Sequence, residues 1–106
     1  MKLPKLIQTY IDACNRHDVN SILACFSDNA VVRDEGETLR GKEEIEAWVV
    51  KTIEKYKFQL KPLGVKNETT EVVVSMKVSG TFDGSPITLD YHFRIEKGKI
   101  LSLAVK

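Results

Sequence analysis

No window of the sequence approaches the roughly 18 consecutive apolar residues that a membrane-spanning helix requires. The stretch after Met1 also lacks the unbroken apolar segment of a signal peptide. Positive and negative side chains nearly balance, with 16 Lys and Arg against 15 Asp and Glu, which excludes a nucleic-acid binder that works through bulk positive charge. We therefore expect a cytoplasmic protein that binds neither membrane nor nucleic acid.

Cysteine and histidine are scarce, with two of each, and neither a Cys-x-x-Cys nor a His-x-x-x-His spacing occurs. The sequence therefore predicts no metal site. Cys14 and Cys25 lie in apolar, helix-like segments, and a disulfide between them is not expected in a reducing cytoplasm. Two small buried thiols are the simplest interpretation.

The hydrophobic pattern changes its period along the chain. Apolar residues recur every three to four positions in the first half and at alternate positions in the second half, which indicates helices followed by strands. The predicted helices cover residues 4–16, 19–25 and 42–56. The predicted strands cover residues 30–34, 71–82, 87–96 and 99–105, with a further strand that opens at 58–60 and is bent or ended by Pro62 and Gly64.

This order of elements predicts an α+β fold in a single domain over residues 1–106. An antiparallel sheet with one apolar face must cover that face, and the three amphipathic helices are the available cover. A curved antiparallel sheet wrapped around three helices leaves a cone, whose open end can hold a small ligand.

Four segments carry a resemblance to a known family. They are Tyr10–Asp18, Phe26–Asp34, Arg40-Gly41 followed by residues 42–48, and Tyr91–Ile95. With them the chain resembles the SnoaL-like branch of the nuclear transport factor 2-like superfamily, which includes the ketosteroid isomerases. The resemblance implies a cone-shaped, cystatin-like α+β barrel, a small apolar ligand or substrate, no cofactor, and a homodimer that pairs through the outer face of the sheet.

The resemblance also implies three catalytic residues. Tyr10 matches the tyrosine that donates a hydrogen bond to the substrate in ketosteroid isomerases, and Asp34 matches their general base. Tyr91 stands where that family has an aspartic acid as its second donor. A phenol still donates one hydrogen bond but is bulkier, so Tyr91 either donates or fills the place of the substrate.

The residues themselves leave two interpretations open for Asp34 and for Tyr10. Asp34 points to the same side of its strand as Val32, so either it faces an apolar pocket that favours its neutral form or it is a turn residue before Glu35 and Gly36. Tyr10 lies within an apolar helix stripe, so it either packs in the core or polarises a carbonyl in a cavity.

The predicted pocket wall comes from the inward positions of the same elements. Tyr91 lies on the same face of its strand as Leu89 and Phe93. Arg33, His92 and Arg94 occupy the alternate positions, whose side chains point away from the pocket. The residues that we expect to line the pocket are Val32, Trp48, Met76, Leu89 and Phe93.

Two functions follow as hypotheses. The first is a cofactor-independent isomerase or cyclase that moves a proton next to a carbonyl group of a small apolar compound. The second is a non-catalytic small-molecule-binding or dimeric scaffold domain. A protein-interaction module ranks last, because the loops of this chain are short. Members of the superfamily perform all these roles, so the fold alone does not decide between them.

Overall fold

The computed structural model describes residues 2–106, which form three helices and six strands. The helices are α1 (Lys5–Asn15), α2 (Val19–Ala24) and α3 (Gly41–Tyr56). The strands are β1 (Phe26–Asp34), β2 (Glu37–Arg40), β3 (Gln59–Asn67), β4 (Val72–Ser79), β5 (Ile87–Glu96) and β6 (Lys99–Val105). Within these residues, none of the helices combines the length and apolarity needed to cross a membrane.

Local sequence signals set the ends of the helices. The carboxylate of Asp18 accepts a hydrogen bond from the backbone N–H of Ser21 at 3.1 Å and so caps the start of α2. The carboxylate of Glu44, in the first turn of α3, accepts one from the backbone N–H of Arg40 at 2.8 Å. Lys57 adopts a left-handed conformation (φ 47°) and ends α3. The three predicted helices are therefore confirmed to within two residues at each end.

The six strands form one curved sheet in the order β2-β1-β6-β5-β4-β3. The α+β class is confirmed, but the expectation of a purely antiparallel sheet is wrong, because β1 pairs in parallel with β6. The prediction also missed β2. Glu35 and Gly36 both have positive φ (52° and 78°), which is typical of a two-residue hairpin turn. The chain therefore reverses direction after β1 and continues as the antiparallel strand β2.

The connection between β4 and β5 is anchored to the end of α3. The long strand predicted over 71–82 already ends at Ser79, and the turn signal Asp83-Gly84 lies within a longer loop. The backbone N–H of Thr81 donates to the carbonyl oxygen of Tyr56 at 2.7 Å. A side chain at Gly80 would collide with that same oxygen, so this close approach requires glycine. The loop thereby places Phe82 beside α3.

The centre of the core is a row of side chains on the inner face of the sheet, which we call the closed row. It consists of Val32, Leu103 and Phe93, which are in register across β1, β6 and β5 and are all fully buried. The ring of Tyr10, from α1, packs edge-on against Phe93 with ring centroids 5.6 Å apart and so covers the row. Side chains therefore fill this part of the cone.

Candidate functional site

A cavity of about 370 Å³ opens beside the closed row, between α1, α3 and the inner face of the sheet. Its lining comes from every helix and from four of the strands, together with the segments that follow β1, α3 and β4. The lining residues are Tyr10, Cys14, Ile22, Asp34, Glu35, Trp48, Val49, Thr52, Tyr56, Phe58, Val78, Phe82, Ile87, Leu89, Tyr91 and Val105.

The structure brings the three predicted catalytic residues to this one cavity. Asp34 and Tyr91 lie on the wall formed by the sheet, and Tyr10 reaches the cavity from α1. Val105 lies beside Tyr91 in the register of β5 and β6. We call Asp34, Val105 and Tyr91 the open row. Each of these residues lies two positions along its strand from the member of the closed row on the same strand.

Two of the five predicted lining residues, Trp48 and Leu89, also line the cavity. The other three, Val32, Met76 and Phe93, are instead fully buried core residues. Val32 and Phe93 belong to the closed row beneath the ring of Tyr10. Met76 lies in mid-sheet, in register with Leu89 on β5 and Pro62 on β3. Alternation placed these residues on the correct face, but packed side chains separate them from the cavity.

The carboxyl group of Asp34 is half-buried at the end of β1. The indole Nε1–H of Trp48 donates a hydrogen bond to its Oδ2 at 3.0 Å. Burial raises the pKa of Asp34 above its usual range, and the neighbouring charges of Glu35 and Glu37 raise it further, whereas the Trp48 hydrogen bond lowers it. The net shift is upward, which brings the carboxyl group closer to the pKa that proton transfer near neutral pH requires.

The phenol groups of Tyr10 and Tyr91 are held in the protonated form. Burial raises the pKa of both well above the usual value, and the nearby Cys14 raises both further. A charge on Asp34 also raises the pKa of Tyr91, which places the two groups within electrostatic range. Both phenols therefore stay protonated at every physiological pH and are able to donate hydrogen bonds into the cavity.

Cys14 is a neutral thiol in the wall of this cavity. Burial raises its pKa to about 12, although the neighbouring hydroxyl of Tyr10 acts in the opposite direction. A thiol nucleophile reacts as the thiolate, so this side chain does not serve as one at neutral pH. Cys25 is also buried and free, and burial raises its pKa as well.

The rim of the cavity joins the β1–β2 turn to α3. The hydroxyl of Tyr56 donates to Glu35 Oε1 at 2.7 Å, and Lys51 Nζ lies 3.7 Å from Glu37 Oε1. The ring of Tyr56 packs edge-on against Phe82 at 5.6 Å between centroids. These contacts hold the hairpin and the β4–β5 loop against the same end of α3.

The sequence contained a signal for this rim that the prediction did not use. Trp48, Thr52 and Tyr56 are spaced four residues apart, so they form one stripe along α3, and all three line the cavity. Of these three residues, the prediction assigned only Trp48 to the pocket.

The ionisable character of the cavity lining is acidic rather than basic. Of the described residues that line the cavity, Asp34 and Glu35 are acidic and none is Lys, Arg or His. Most of the remaining lining is apolar or aromatic. Among residues 2–106, no group of three His, Cys, Asp or Glu side chains is arranged to hold a metal ion. The cavity therefore suits a neutral, largely apolar ligand rather than an anion.

Residues 7–103 match the model of a family described as the SnoaL-like domain. The chain belongs to the SnoaL-like domain family. The resemblance drawn from the four sequence segments is thereby confirmed. No curated protein matches this SnoaL-like chain.

Solved structures share the fold over nearly the whole chain. A proposed polyketide cyclase from Sinorhizobium meliloti is 35% identical, with a TM-score of 0.94 over 98% of this chain and 95% of that chain. A proposed polyketide cyclase from Pseudomonas putida KT2440 is 21% identical, with a TM-score of 0.85 over 100% and 91%. A Catenulispora acidiphila protein with a ketosteroid isomerase-like fold, in complex with trimethylamine, is 17% identical, with a TM-score of 0.86 over 99% and 86%.

Proposed function

We propose that this SnoaL-like protein is a cofactor-independent isomerase or cyclase that acts on a small apolar carbonyl compound, with Asp34 as its proton-transferring group. The observation that carries the proposal is the open row. It combines a half-buried carboxyl group of raised pKa with a protonated phenol, and the second phenol, Tyr10, lines the same cavity. Perturbed acid–base groups that meet in an apolar cavity are typical of a catalytic site.

The reaction begins when the carboxylate of Asp34 removes a proton from the carbon next to the carbonyl group. The electron pair of the broken C–H bond moves to the carbonyl oxygen, and the hydroxyls of Tyr10 and Tyr91 donate hydrogen bonds to the enolate that forms. In an isomerase, protonated Asp34 returns the proton to another carbon and the double bond shifts. In a cyclase, the enolate carbon attacks a second carbonyl of the same molecule, and Asp34 protonates the new alkoxide.

Two further observations support this choice. Among residues 2–106, those that line the cavity offer no cation to pair with a carboxylate or phosphate ligand, which agrees with a neutral carbonyl compound. The proteins from S. meliloti and P. putida are described as proposed polyketide cyclases, and enolate chemistry of this kind closes polyketide rings. Both isomerase and cyclase share the first step, so that step is the one to test.

The first step is measured as deuterium exchange. A panel of neutral apolar ketones is incubated with the protein in deuterium oxide, and mass spectrometry follows the uptake of deuterium next to the carbonyl group. Asp34→Asn removes the proton acceptor, so we expect exchange to fall by about 10²–10⁴-fold, with little change in melting temperature. The matched control is Asp28→Asn, the same change at an exposed carboxylate on the same strand that does not line the cavity. Exchange that survives Asp34→Asn contradicts the proposal.

The second candidate function is a binding domain without chemistry. It is favoured by the fact that the carboxyl group of the site already has a partner, because the indole N–H of Trp48 donates a hydrogen bond to Asp34. The trimethylamine complex of the C. acidiphila protein shows that this fold also holds small ligands. Native mass spectrometry of protein purified under mild conditions separates the two functions, since a retained ligand without deuterium exchange in any ketone favours binding alone.

We also propose that the protein is a cytoplasmic homodimer that pairs through the outer face of the sheet. Val73, His92 and Ala104 are in register across β4, β5 and β6 on that face, and all three are half-buried. His92 is further fixed by a 2.9 Å contact between its Nδ1 and Glu71 Oε1. Light scattering at several concentrations tests the dimer, and Ala104→Arg should dissociate it. A native chain that stays monomeric at high concentration would contradict it.

A further inference from the structure

We propose that Trp48 is a positioning residue for Asp34: its indole N–H holds Oδ2, so that Oδ1 is the oxygen that takes the substrate proton. The inference rests on the proposed function, since it assigns the support of the same carboxyl group. It departs from the sequence-based expectation, in which Trp48 formed part of an apolar wall.

The geometry supports this role first. The Nε1–Oδ2 distance of 3.0 Å joins β1 to α3 across fourteen residues of sequence. Among residues 2–106, no other side chain hydrogen-bonds the Asp34 carboxyl group, whose second hydrogen-bond donor is the backbone N–H of Glu35. The χ2 torsion of an aspartate is broad, so one fixed oxygen decides the direction of the other. Small errors in such a direction reduce catalysis strongly.

The backbone that carries Trp48 is well fixed. Val49, the next residue, is buried in the core, and the hydroxyl of Thr52 is satisfied by the Val49 carbonyl oxygen at 3.1 Å. The indole ring itself is half-buried and lines the cavity on one side and a groove of about 230 Å³ between α3 and the hairpin on the other. The donor is therefore held by a rigid helix rather than by a loop.

The chemistry of the indole group suits a proton-transferring partner. An indole N–H donates one hydrogen bond, accepts none and does not titrate, so it never competes with the carboxylate for the substrate proton. Its donation favours the charged form of Asp34 and offsets part of the effect of burial. A lysine in this place would carry a full charge and lower the pKa of Asp34 far more. The carboxyl group would then be a poorer base.

Other titratable groups near Asp34 must be separated from the effect of Trp48. They lie on each element that surrounds the carboxyl group. On the hairpin they are Glu35 and Glu37, on α3 Lys51, Lys55 and Tyr56, on β5 Tyr91, and on α1 Tyr10 and Cys14. The three groups on α3 contact the hairpin acids or lie near them, whereas Trp48 is the residue of α3 that hydrogen-bonds Asp34.

The chain contains a single tryptophan, so the bond can be observed in the native protein without any substrate. The Nε1–H resonance of Trp48 and the carboxyl carbon resonance of Asp34 are followed by NMR as the pH is changed. We expect both to titrate with one common pKa, and Asp34→Asn to abolish the titration of the indole resonance. An indole resonance that ignores the titration of Asp34 would overturn the inference.

The variant Trp48→Phe keeps an aromatic ring and removes the donor. We expect the pKa of Asp34 to rise, the acidic limb of the exchange rate to move to higher pH, and the maximal rate to fall about tenfold or more. Thr81→Val is the control, since it removes a 3.2 Å hydrogen bond to the carbonyl oxygen of Tyr56 at the end of the same helix, outside the cavity, and should leave the Asp34 titration in place. If the Trp48→Phe variant does not fold, the NMR titration of the native protein decides whether Trp48 is coupled to Asp34.

The outcomes separate this inference from the proposed function. Loss of exchange in Asp34→Asn together with an unchanged pH profile in Trp48→Phe rejects the role of Trp48 and leaves the function intact. Full exchange in Asp34→Asn rejects the function, and Trp48 then positions no catalytic group.

Discussion

Two rows of side chains cross the inner face of the sheet, two residues apart along each strand. Only one of the rows is covered by packed side chains. The closed row, Val32, Leu103 and Phe93, is fully buried. The open row, Asp34, Val105 and Tyr91, lies on the same faces of the same strands and borders the cavity.

The difference lies in what each row faces. The ring of Tyr10 contacts Phe93 and also Phe26, at 5.6 and 5.8 Å between centroids, and so completes the core above the closed row. Above the open row, Trp48 and Tyr56 stand at the edge of α3 and leave space between them. Two-residue alternation therefore assigns a side chain to a face, while the covering helices decide whether that face is core or cavity.

The largest effect is expected from breaking the closed row. Phe93→Ala removes a fully buried ring and leaves a void under Tyr10, so the free energy of unfolding should fall by about 3–5 kcal/mol. Urea denaturation measures the change. Tyr91→Ala, the comparable change in the open row, removes a ring that already borders the cavity, so it should lower the free energy of unfolding by less. Equal losses in the two variants would show that the rows are packed alike.

A smaller effect is expected on catalysis from the hydroxyl of the open row. Tyr91→Phe removes one of two proposed donors to the enolate, so ketone deuterium exchange should fall by about 10²-fold, with the ring still in place. Tyr10→Phe should lower exchange by a similar factor. An unchanged rate in Tyr91→Phe would identify Tyr91 as a wall of the cavity, which is the alternative that the sequence left open.

The smallest effect is a dependence of stability on pH. The pKa of Asp34 is raised in the folded state, so the folded protein keeps this proton to higher pH than the unfolded chain. The stabilising contribution of the proton is complete below about pH 3.9 and is lost as the pH rises through the folded pKa. Asp34→Asn should therefore be more stable than the native protein at pH 7, and the gap should close towards pH 4. Denaturation at both values, with the exposed-site variant Asp28→Asn as the control for net charge, measures the change. A constant gap would contradict the prediction.

Much of the fold could be predicted from the sequence because its signals are local. The stripe of α1 and the alternation of β5 each act within a few residues, and the structure confirms both. The parallel pairing of β1 with β6 joins the two ends of the domain, and no local pattern encodes it. The strand β2 depends on the positive φ of Glu35. This conformation is uncommon for glutamate, so the residue type does not predict it.

The candidate site was predictable in part for the same reason. The resemblance and the alternation together pointed to Tyr10, Asp34 and Tyr91, which meet at one cavity. The hydrogen bond from Trp48 to Asp34 was not predictable, since it depends on how deeply α3 lies across β1. Val32, Met76 and Phe93 were wrongly included in the predicted pocket wall for the same reason. The position of the helices decides whether an inward side chain is core or lines the cavity, and the sequence pattern does not show that position.

The parallel pairing has a consequence for how the domain is made. In the sheet, β6 lies between β1 and β5, so it alone joins the β2-β1 hairpin to the meander of β5, β4 and β3. A ribosome releases β1 early, and that strand then carries one unpaired edge until the last strand emerges. Unpaired edges of this kind invite association with other chains. The nascent protein is therefore most vulnerable to aggregation just before Val105 completes both the sheet and the floor of the cavity.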